Sequence, residues 1–327
     1  MKIGIAGNGK IVTEMIEATK EIQGLDIIAI CSRPQSKAKA EKIAQNYDIA
    51  KVYTDYDEML QDKEINFIYV AVTNNVHYIY TKKALFAGKN VICEKPFTIT
   101  AEETRELVEL AKAKKLFLFE AITILYAPNY QYIKENLAKI GQLRYVQANY
   151  AQYSSRYDKY LNKDVAPAFS PEHAGGALYD LNIYNLHFVM GILGIPREVI
   201  YRANFGFNGI DTSGTMLLDY KGFTVVCSAA KDSESESGII FQGEKGYIKL
   251  VGATNICGLV ELEIKGNNKE LVNKEKYNHR MVNEFVAFSE MFNKQDFITC
   301  YENLDHSLNV MKILEQARKS GKIEFNV

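Results

Sequence analysis

Over its first 121 residues the chain alternates short apolar runs with longer stretches of helical period, a rhythm that points to a parallel sheet built from βαβ units. Six runs read as strands: Ile3–Ala6, Ile27–Cys31, Lys51–Tyr53, Phe67–Val72, Asn90–Cys93 and Leu116–Phe119. Helical patterns such as Lys37–Tyr47 and Tyr78–Ala87 lie between them. One helix start is clear. Thr100 followed by Glu103 makes a capping box, and Lys112, Lys114 and Lys115 then fall where that helix's dipole favours cations, so this charge run reads as structural.

After residue 121 the rhythm becomes β-rich. The runs Leu143–Tyr153, Val199–Asn208, Thr215–Tyr220, Phe223–Ala229, Gly238–Gln242 and Leu259–Ile264 are separated by turn residues, and such short links imply antiparallel neighbours. One helix, Ala177–Leu193, interrupts them, and two more, near Asn283–Asn293 and Asn303–Lys319, close the chain. Ser233 to Ser237 reads as a solvated loop. The expectation is an α/β chain in two domains: a doubly wound parallel sheet over 1–121, and an α+β domain over 122–327 with a large, mainly antiparallel open sheet. A length of 327 residues suits that division.

Charge excludes some partners. Thirty-nine Lys and Arg nearly cancel 40 Asp and Glu, which gives no footing for nucleic acid or a membrane surface. The five cysteines are scattered and odd in number, which fits a reducing compartment, and no apolar run suits a signal peptide or a membrane span. A cytoplasmic, soluble protein is expected. The five histidines show no metal-ligand spacing, so no metal is expected.

The first strand runs straight into Gly7-Asn8-Gly9-Lys10-Ile11 at a strand-to-helix turn, where a dinucleotide pyrophosphate would meet backbone N–H groups. Val12 occupies the third small position, so the fingerprint is incomplete and an ordinary turn stays open. The second strand ends in Cys31-Ser32-Arg33 with no acid to accept from a free ribose 2′-hydroxyl. Ser32 and Arg33 instead suit the 2′-phosphate of NADP, with NAD the alternative; Arg33 as a solvated loop residue is the plainer reading. The fifth strand ends in Glu94-Lys95-Pro96, which puts a lysine at the carboxyl edge of the sheet, either as a surface charge or to orient a substrate oxygen. Whether the Lys95–Pro96 bond is cis is not legible in sequence.

Three motifs in this order, Gly4-Ile5-Ala6-Gly7-Asn8-Gly9, Glu94-Lys95-Pro96 and Gly175-Gly176-Ala177-Leu178-Tyr179-Asp180-Leu181-Asn182-Ile183-Tyr184, resemble the glucose–fructose oxidoreductase / inositol dehydrogenase family over nearly the whole chain. Cys93-Glu94-Lys95-Pro96-Phe97 and Phe119-Glu120-Ala121 most resemble its dimeric dihydrodiol dehydrogenase branch. The resemblance implies an NAD(P)-dependent dehydrogenase or reductase acting on a hydroxyl or carbonyl carbon. It also implies coenzyme contacts from Thr73, Asn74, His77, Glu94, Lys95 and Glu120, and a homodimer or higher oligomer joined through the open face of the second sheet. For His77, capping of the following helix is equally open.

Asp180 and Tyr184 stand four apart, on one face of the predicted helix. Where the family commonly has histidine, this chain has Tyr184, so the resemblance gives Tyr184 the acid–base role, with Asp180 in support and the Lys95 ammonium favouring phenolate. Without it, Tyr184 reads as core packing, and His187 on the same helix as an interior histidine. Where the dihydrodiol branch continues with a tryptophan and an arginine, this chain has Thr123-Ile124-Leu125 and no tryptophan at all, which puts a sugar, polyol or other hydroxyl or carbonyl compound at least level with an aromatic diol. Two rivals remain: a non-catalytic nucleotide-sensing regulator, and a sugar–sugar oxidoreductase that keeps its coenzyme bound.

Overall fold

The computed structural model describes residues 1–326, which divide into two units: Met1–Ala121 with Met281–Leu308, and Ile122–Arg280 with the residues from Asn309 on. In the first unit, strands β1 (Lys2–Ala6), β2 (Asp26–Cys31), β3 (Lys51–Tyr53), β4 (Phe67–Val70), β5 (Asn90–Glu94) and β6 (Leu118–Ala121) form one parallel sheet. Their order is β3-β2-β1-β4-β5-β6, so the winding reverses between β1 and β4, where open α/β sheets bind ligands. Helices α1 (Lys10–Thr19), α2 (Lys37–Asn46), α3 (Tyr56–Gln61), α4 (His77–Phe86) and α5 (Ala101–Lys114) alternate with the strands. Residues Phe67 to Val70 of β4 are wholly buried, as strands covered on both faces must be, which is why their sequence reads as an unbroken apolar run. The Thr100–Glu103 capping box is present, Lys112 and Lys114 lie in the last turn of α5, and Lys112 pairs with Asp305 at 2.6 Å.

The second unit contains α6 (Pro128–Asn136), β7 (Leu143–Ala151), α7 (Tyr157–Leu161), α8 (Ile183–Leu193), β8 (Glu198–Phe205), β9 (Asp211–Tyr220), β10 (Phe223–Ala230), β11 (Gly238–Gly243), β12 (Gly246–Val251), β13 (Leu259–Ile264) and β14 (Glu270–Val272). Its strands form an eight-stranded sheet in the order β14-β13-β12-β11-β7-β10-β9-β8. Neighbours are antiparallel except β7 and β10, which run parallel from Thr224↔Tyr145 to Ala230↔Ala151. One sheet face, with Val225, Cys227, Ile239, Phe241 and Ile248, is buried. On the other, the register aligns Ile200, Leu217, Val226, Gln147, Ile240 and Lys249 in a row across six strands, all partly or fully exposed.

Several elements depart from expectation. Strands β12 and β14 and helices α6 and α7 were not predicted, β9 begins at Asp211 rather than Thr215, and the single helix expected over Ala177–Leu193 opens with a π-helical turn, Leu178–Asn182. Short strands with polar alternation are easily lost among turns.

Two helices close the chain, α9 (Val282–Lys294) and α10 (Phe297–Ser320). Residues 281–308 join the first unit, whose opening segment ends at Ala121. The reason is aromatic packing. Phe288 stacks on Phe119 at 4.4 Å, Phe297 on Phe117 at 4.1 Å, and Phe292 meets Phe67 edge-on at 5.0 Å. Each buried ring contributes roughly 1.5–3 kcal/mol, so these helices cover one face of the first sheet that would otherwise stand bare. No helix among the described residues is long and apolar enough to cross a membrane.

Candidate active site

Gly7 has φ +123°, and a Cβ there would lie 2.2 Å from the Ala71 carbonyl oxygen, so only glycine lets the turn after β1 pass the end of β4. Gly9 N-caps α1 without any side-chain hydrogen bond, no acid occupies the first turn, and a Cβ on Gly9 would meet nothing within 4 Å. The start of α1 therefore presents backbone N–H groups to open space at the switch point of the sheet, the arrangement a pyrophosphate needs. Asn8 bridges to the next connection by donating Nδ2 to the Ser36 carbonyl at 3.1 Å. Ile11 is half-buried, and Lys10 is exposed and pairs with Glu14 at 3.4 Å.

At the end of β2, Ser32 is buried and Arg33 exposed, with no ion pair to the guanidinium among the described residues. Burial, with Asp55 and Glu58 adding to it, pushes the Cys31 thiol up to about 12, while Asp55 Oδ1 accepts from the Asp57 and Glu58 N–H groups. The residues present thus fit an NAD(P) coenzyme.

In the loop after β4, Thr73 donates to Asn75 Oδ1 at 2.8 Å and Asn74 is half-buried. His77 is buried, with Nδ1 2.8 Å from the Pro96 carbonyl oxygen and Nε2 3.2 Å from that of Val72. Both ring nitrogens thus face the protein's own backbone, and neither caps α4. This corrects the helix-capping expectation for His77: its ring ties two loops together. Burial lowers its pKa. The Lys95–Pro96 bond is cis and Lys95 is half-buried. Glu94 is buried and accepts from the Tyr69 hydroxyl; Glu120 is buried at the end of β6.

Asp180 and Tyr184 lie in the second unit. The helix carrying them starts after Gly176, at φ +97°, where a Cβ would fall 2.0 Å from Asp211 Oδ1. Asp211 is fully buried; its Oδ2 accepts from the Leu178 N–H at 2.7 Å and the Tyr201 hydroxyl at 2.9 Å. A carboxylate brought in from β9 thereby satisfies the helix start, and burial pushes its pKa up to about 7. Asp180 sits in the π-helical turn, a local distortion frequent at functional sites, and accepts from Lys231 Nζ at 2.8 Å. Lys231 is buried, also donates to the Ala168 carbonyl, and lies 4.4 Å above the Phe169 ring. Tyr184 is 5% exposed, its ring 6.1 Å from that of Tyr150. His187 is fully buried, as an interior histidine.

Tyr150 also lines a cavity of about 680 Å³, with Gln152, Ser237, Asn255, His279 and Arg280 among its walls. Glu234 and Ser235 complete one side, so the segment expected to be a plain solvated loop shapes the cavity. Sequence reasoning missed this wall, together with Asp211 and Lys231. Nothing in Ala229-Ala230-Lys231 separates a buried ammonium from an ordinary lysine after a strand.

A family model described as an oxidoreductase family with an NAD-binding Rossmann fold matches residues 1–121, and the model of that family's C-terminal domain matches residues 130–249. The chain is 30% identical over 325 residues to scyllo-inositol 2-dehydrogenase (NADP(+)) of Bacillus subtilis (strain 168), covering 99% of this chain and 98% of that protein. To trans-1,2-dihydrobenzene-1,2-diol dehydrogenase of Macaca fuscata fuscata it is 32% identical over 254 residues, 75% of this chain and 72% of that one. A solved 3-ketoreductase from Actinomadura kijaniata, in complex with NADP and TDP-benzene, shares the fold with a TM-score of 0.87 at 19% identity, over 98% and 97% of the two chains. With the glycine turn at the switch point, a mainly antiparallel second sheet and full-length similarity to a dehydrogenase, the chain belongs to the GFO/IDH/MocA family of NAD(P)-binding oxidoreductases acting on CH–OH groups.

Proposed function

We propose that the protein is an NADP-linked dehydrogenase of a polyol, sugar or diol, with Tyr184 as the acid–base group, Lys95 assisting it and Asp180 in support. The observation that carries this reading is the open, uncapped start of α1 at the switch point, with Arg33 exposed and unpaired at the end of β2. Gly7, Asn8, Gly9, Lys10 and Ile11 hold the pyrophosphate, Ser32 and Arg33 the 2′-phosphate, and Thr73, Asn74, Glu94, Lys95 and Glu120 flank the rest of the coenzyme. Bound nicotinamide supplies the hydride acceptor or donor at its C4 carbon. Tyr184 takes the alcohol proton at its phenolic oxygen, or returns it in reduction, and its burial keeps competing water away. The cavity beside Tyr150 has amide, hydroxyl, imidazole and guanidinium walls, which recognise hydroxyl groups better than an aromatic ring. The similarity to a scyllo-inositol dehydrogenase that uses NADP(+) supports the same class.

The test is a fluorescence titration of nucleotide-stripped protein with NADPH and NADH in parallel, followed by NADP reduction assays on scyllo-inositol and related polyols. Tighter NADPH binding and polyol oxidation are expected. Tighter NADH binding would overturn the assignment of Ser32 and Arg33, and binding of neither would overturn the reading itself. A homodimer through the exposed row containing Leu217 and Ile240 belongs to the same reading; a monomer by light scattering would remove it.

A further inference from the structure

We propose that Lys231 is a positioning residue for the reaction: its buried ammonium holds the Asp180 carboxylate ionised and aimed within the π-helical turn that leads to Tyr184. This deepens the functional reading above and rests on it for the roles of Asp180 and Tyr184.

The geometry is specific. Lys231 directly follows β10, and its main-chain N–H donates to the Thr212 carbonyl at 2.8 Å, which fixes the base of the side chain. Its side chain is 2% exposed and ends on three partners: the Asp180 Oδ2 at 2.8 Å, the Ala168 carbonyl, and the face of Phe169. Taking an ammonium out of water costs several kcal/mol unless it is paired and hydrogen-bonded, so a lysine kept there marks a site where a fixed positive charge is needed. Asp180 is 32% exposed, so the ion pair has one wet end and one dry end, and the dry end is the lysine. A carboxylate anchored from behind keeps one orientation, whereas one on a regular helix surface rotates freely.

The ammonium has a second neighbour. Asp211 feels its positive charge, but burial outweighs it and raises the carboxyl to about 7, while its hydrogen bonds tie it to Leu178 and Tyr201. Tyr201, which donates to Asp211, also feels Asp232, and Asp232 accepts from Thr212 and Ser213. Of the carboxylates, Asp180 is the one in hydrogen-bonded contact with Lys231.

The test needs no substrate in its first arm. Protein labelled with 13C at the aspartate carboxyl carbons is titrated by NMR, the Asp180 resonance being identified by its loss in Asp180→Asn. In Lys231→Met the Asp180 midpoint should rise by about one pH unit or more, and Lys231→Arg should restore most of it. An unchanged midpoint in a folded Lys231→Met protein overturns the proposal. If that variant does not fold by near-ultraviolet circular dichroism, the wild-type protein decides: a midpoint below the ordinary aspartate value of about 3.9 sustains the proposal and one above it overturns it.

The second arm uses NADP-linked polyol oxidation. Lys231→Met should lower kcat about tenfold or more, leave the NADPH dissociation constant within about twofold, and move the acidic limb of kcat/KM in step with the NMR midpoint. A fall in kcat with an unmoved acidic limb would reduce Lys231 to a packing role. Because the first arm reads Asp180 directly, undiminished turnover in Tyr184→Phe would sink the functional reading while leaving the Lys231–Asp180 result intact.

Discussion

The two helices to which the proposed function gives coenzyme and acid–base roles both begin just after glycines, yet the two starts are built in opposite ways. The start of α1 is left open: Gly9 offers no side chain, no acid follows, and a Cβ would meet nothing within 4 Å. The start of the helix carrying Asp180 and Tyr184 is closed: the Leu178 N–H is met by Asp211, and the space above Gly176 is filled by the same carboxylate. An open start binds an external anion through the backbone, so any side chain there is a hindrance. A closed start has spent its N–H donors inside the protein, so its chemistry has to come from side chains farther along, and these need holding in place.

The largest effect expected from that difference is on turnover. Tyr184→Phe removes only a hydroxyl from the closed helix, and should cut kcat about 10²- to 10⁴-fold while leaving NADPH affinity unchanged in a fluorescence titration. Parallel loss of both would erase the division between the two starts.

The next effect is on stability against pH. The folded-state pKa of Asp211 is raised, from 3.8 to about 7, so the folded protein holds that proton more tightly than the unfolded chain. Stability from this group is full below pH 4 and is lost as pH rises through about 7, by up to roughly 4 kcal/mol. Asp211→Asn keeps an acceptor for Leu178 and Tyr201 without this dependence, so urea melts should show the variant gaining on wild type from pH 4 to pH 8. A constant difference would mean that Asp211 is ionised throughout.

At the open start, two glycines a residue apart should behave differently. Gly7→Ala, with its Cβ 2.2 Å from the Ala71 carbonyl oxygen and φ +123°, should destabilise the protein by about 3 kcal/mol. Gly9→Ala should cost at most about 1 kcal/mol in stability while weakening coenzyme binding about tenfold. Equal thermal stability of the two variants would show that the turn adapts.

The smallest effect sharpens coenzyme choice. Arg33→Ala should weaken NADPH about tenfold and NADH hardly at all, since only the former carries the 2′-phosphate. Equal weakening would place Arg33 elsewhere on the coenzyme.

Legibility in sequence differed between these regions. All six strands of the first sheet were read within a few residues of their ends, and the Thr100–Glu103 box was found outright, because both signals are carried by neighbours in the chain. His77 shows the limit. Its position after β4 was legible, but its two hydrogen bonds run to Val72 and Pro96, and the second partner is 19 residues away. The late helices show the same limit at larger scale: their apolar spacing was readable, but not that Phe288, Phe292 and Phe297 pack on β4 and the β6 segment.

The sequence by itself determined the doubly wound first sheet, the glycine turn at its first crossover, the acid-free end of β2, and a helix that carries both Asp180 and Tyr184. Each depends on periodicity or spacing within about twenty residues. Only the tertiary structure decided that Lys231 is buried against Asp180 across 51 residues, that Asp211 closes the helix start across 33, and that the serine-rich loop walls a cavity. A buried charge is stabilised by whichever group the fold brings to it, and that partner leaves no periodic mark in the chain.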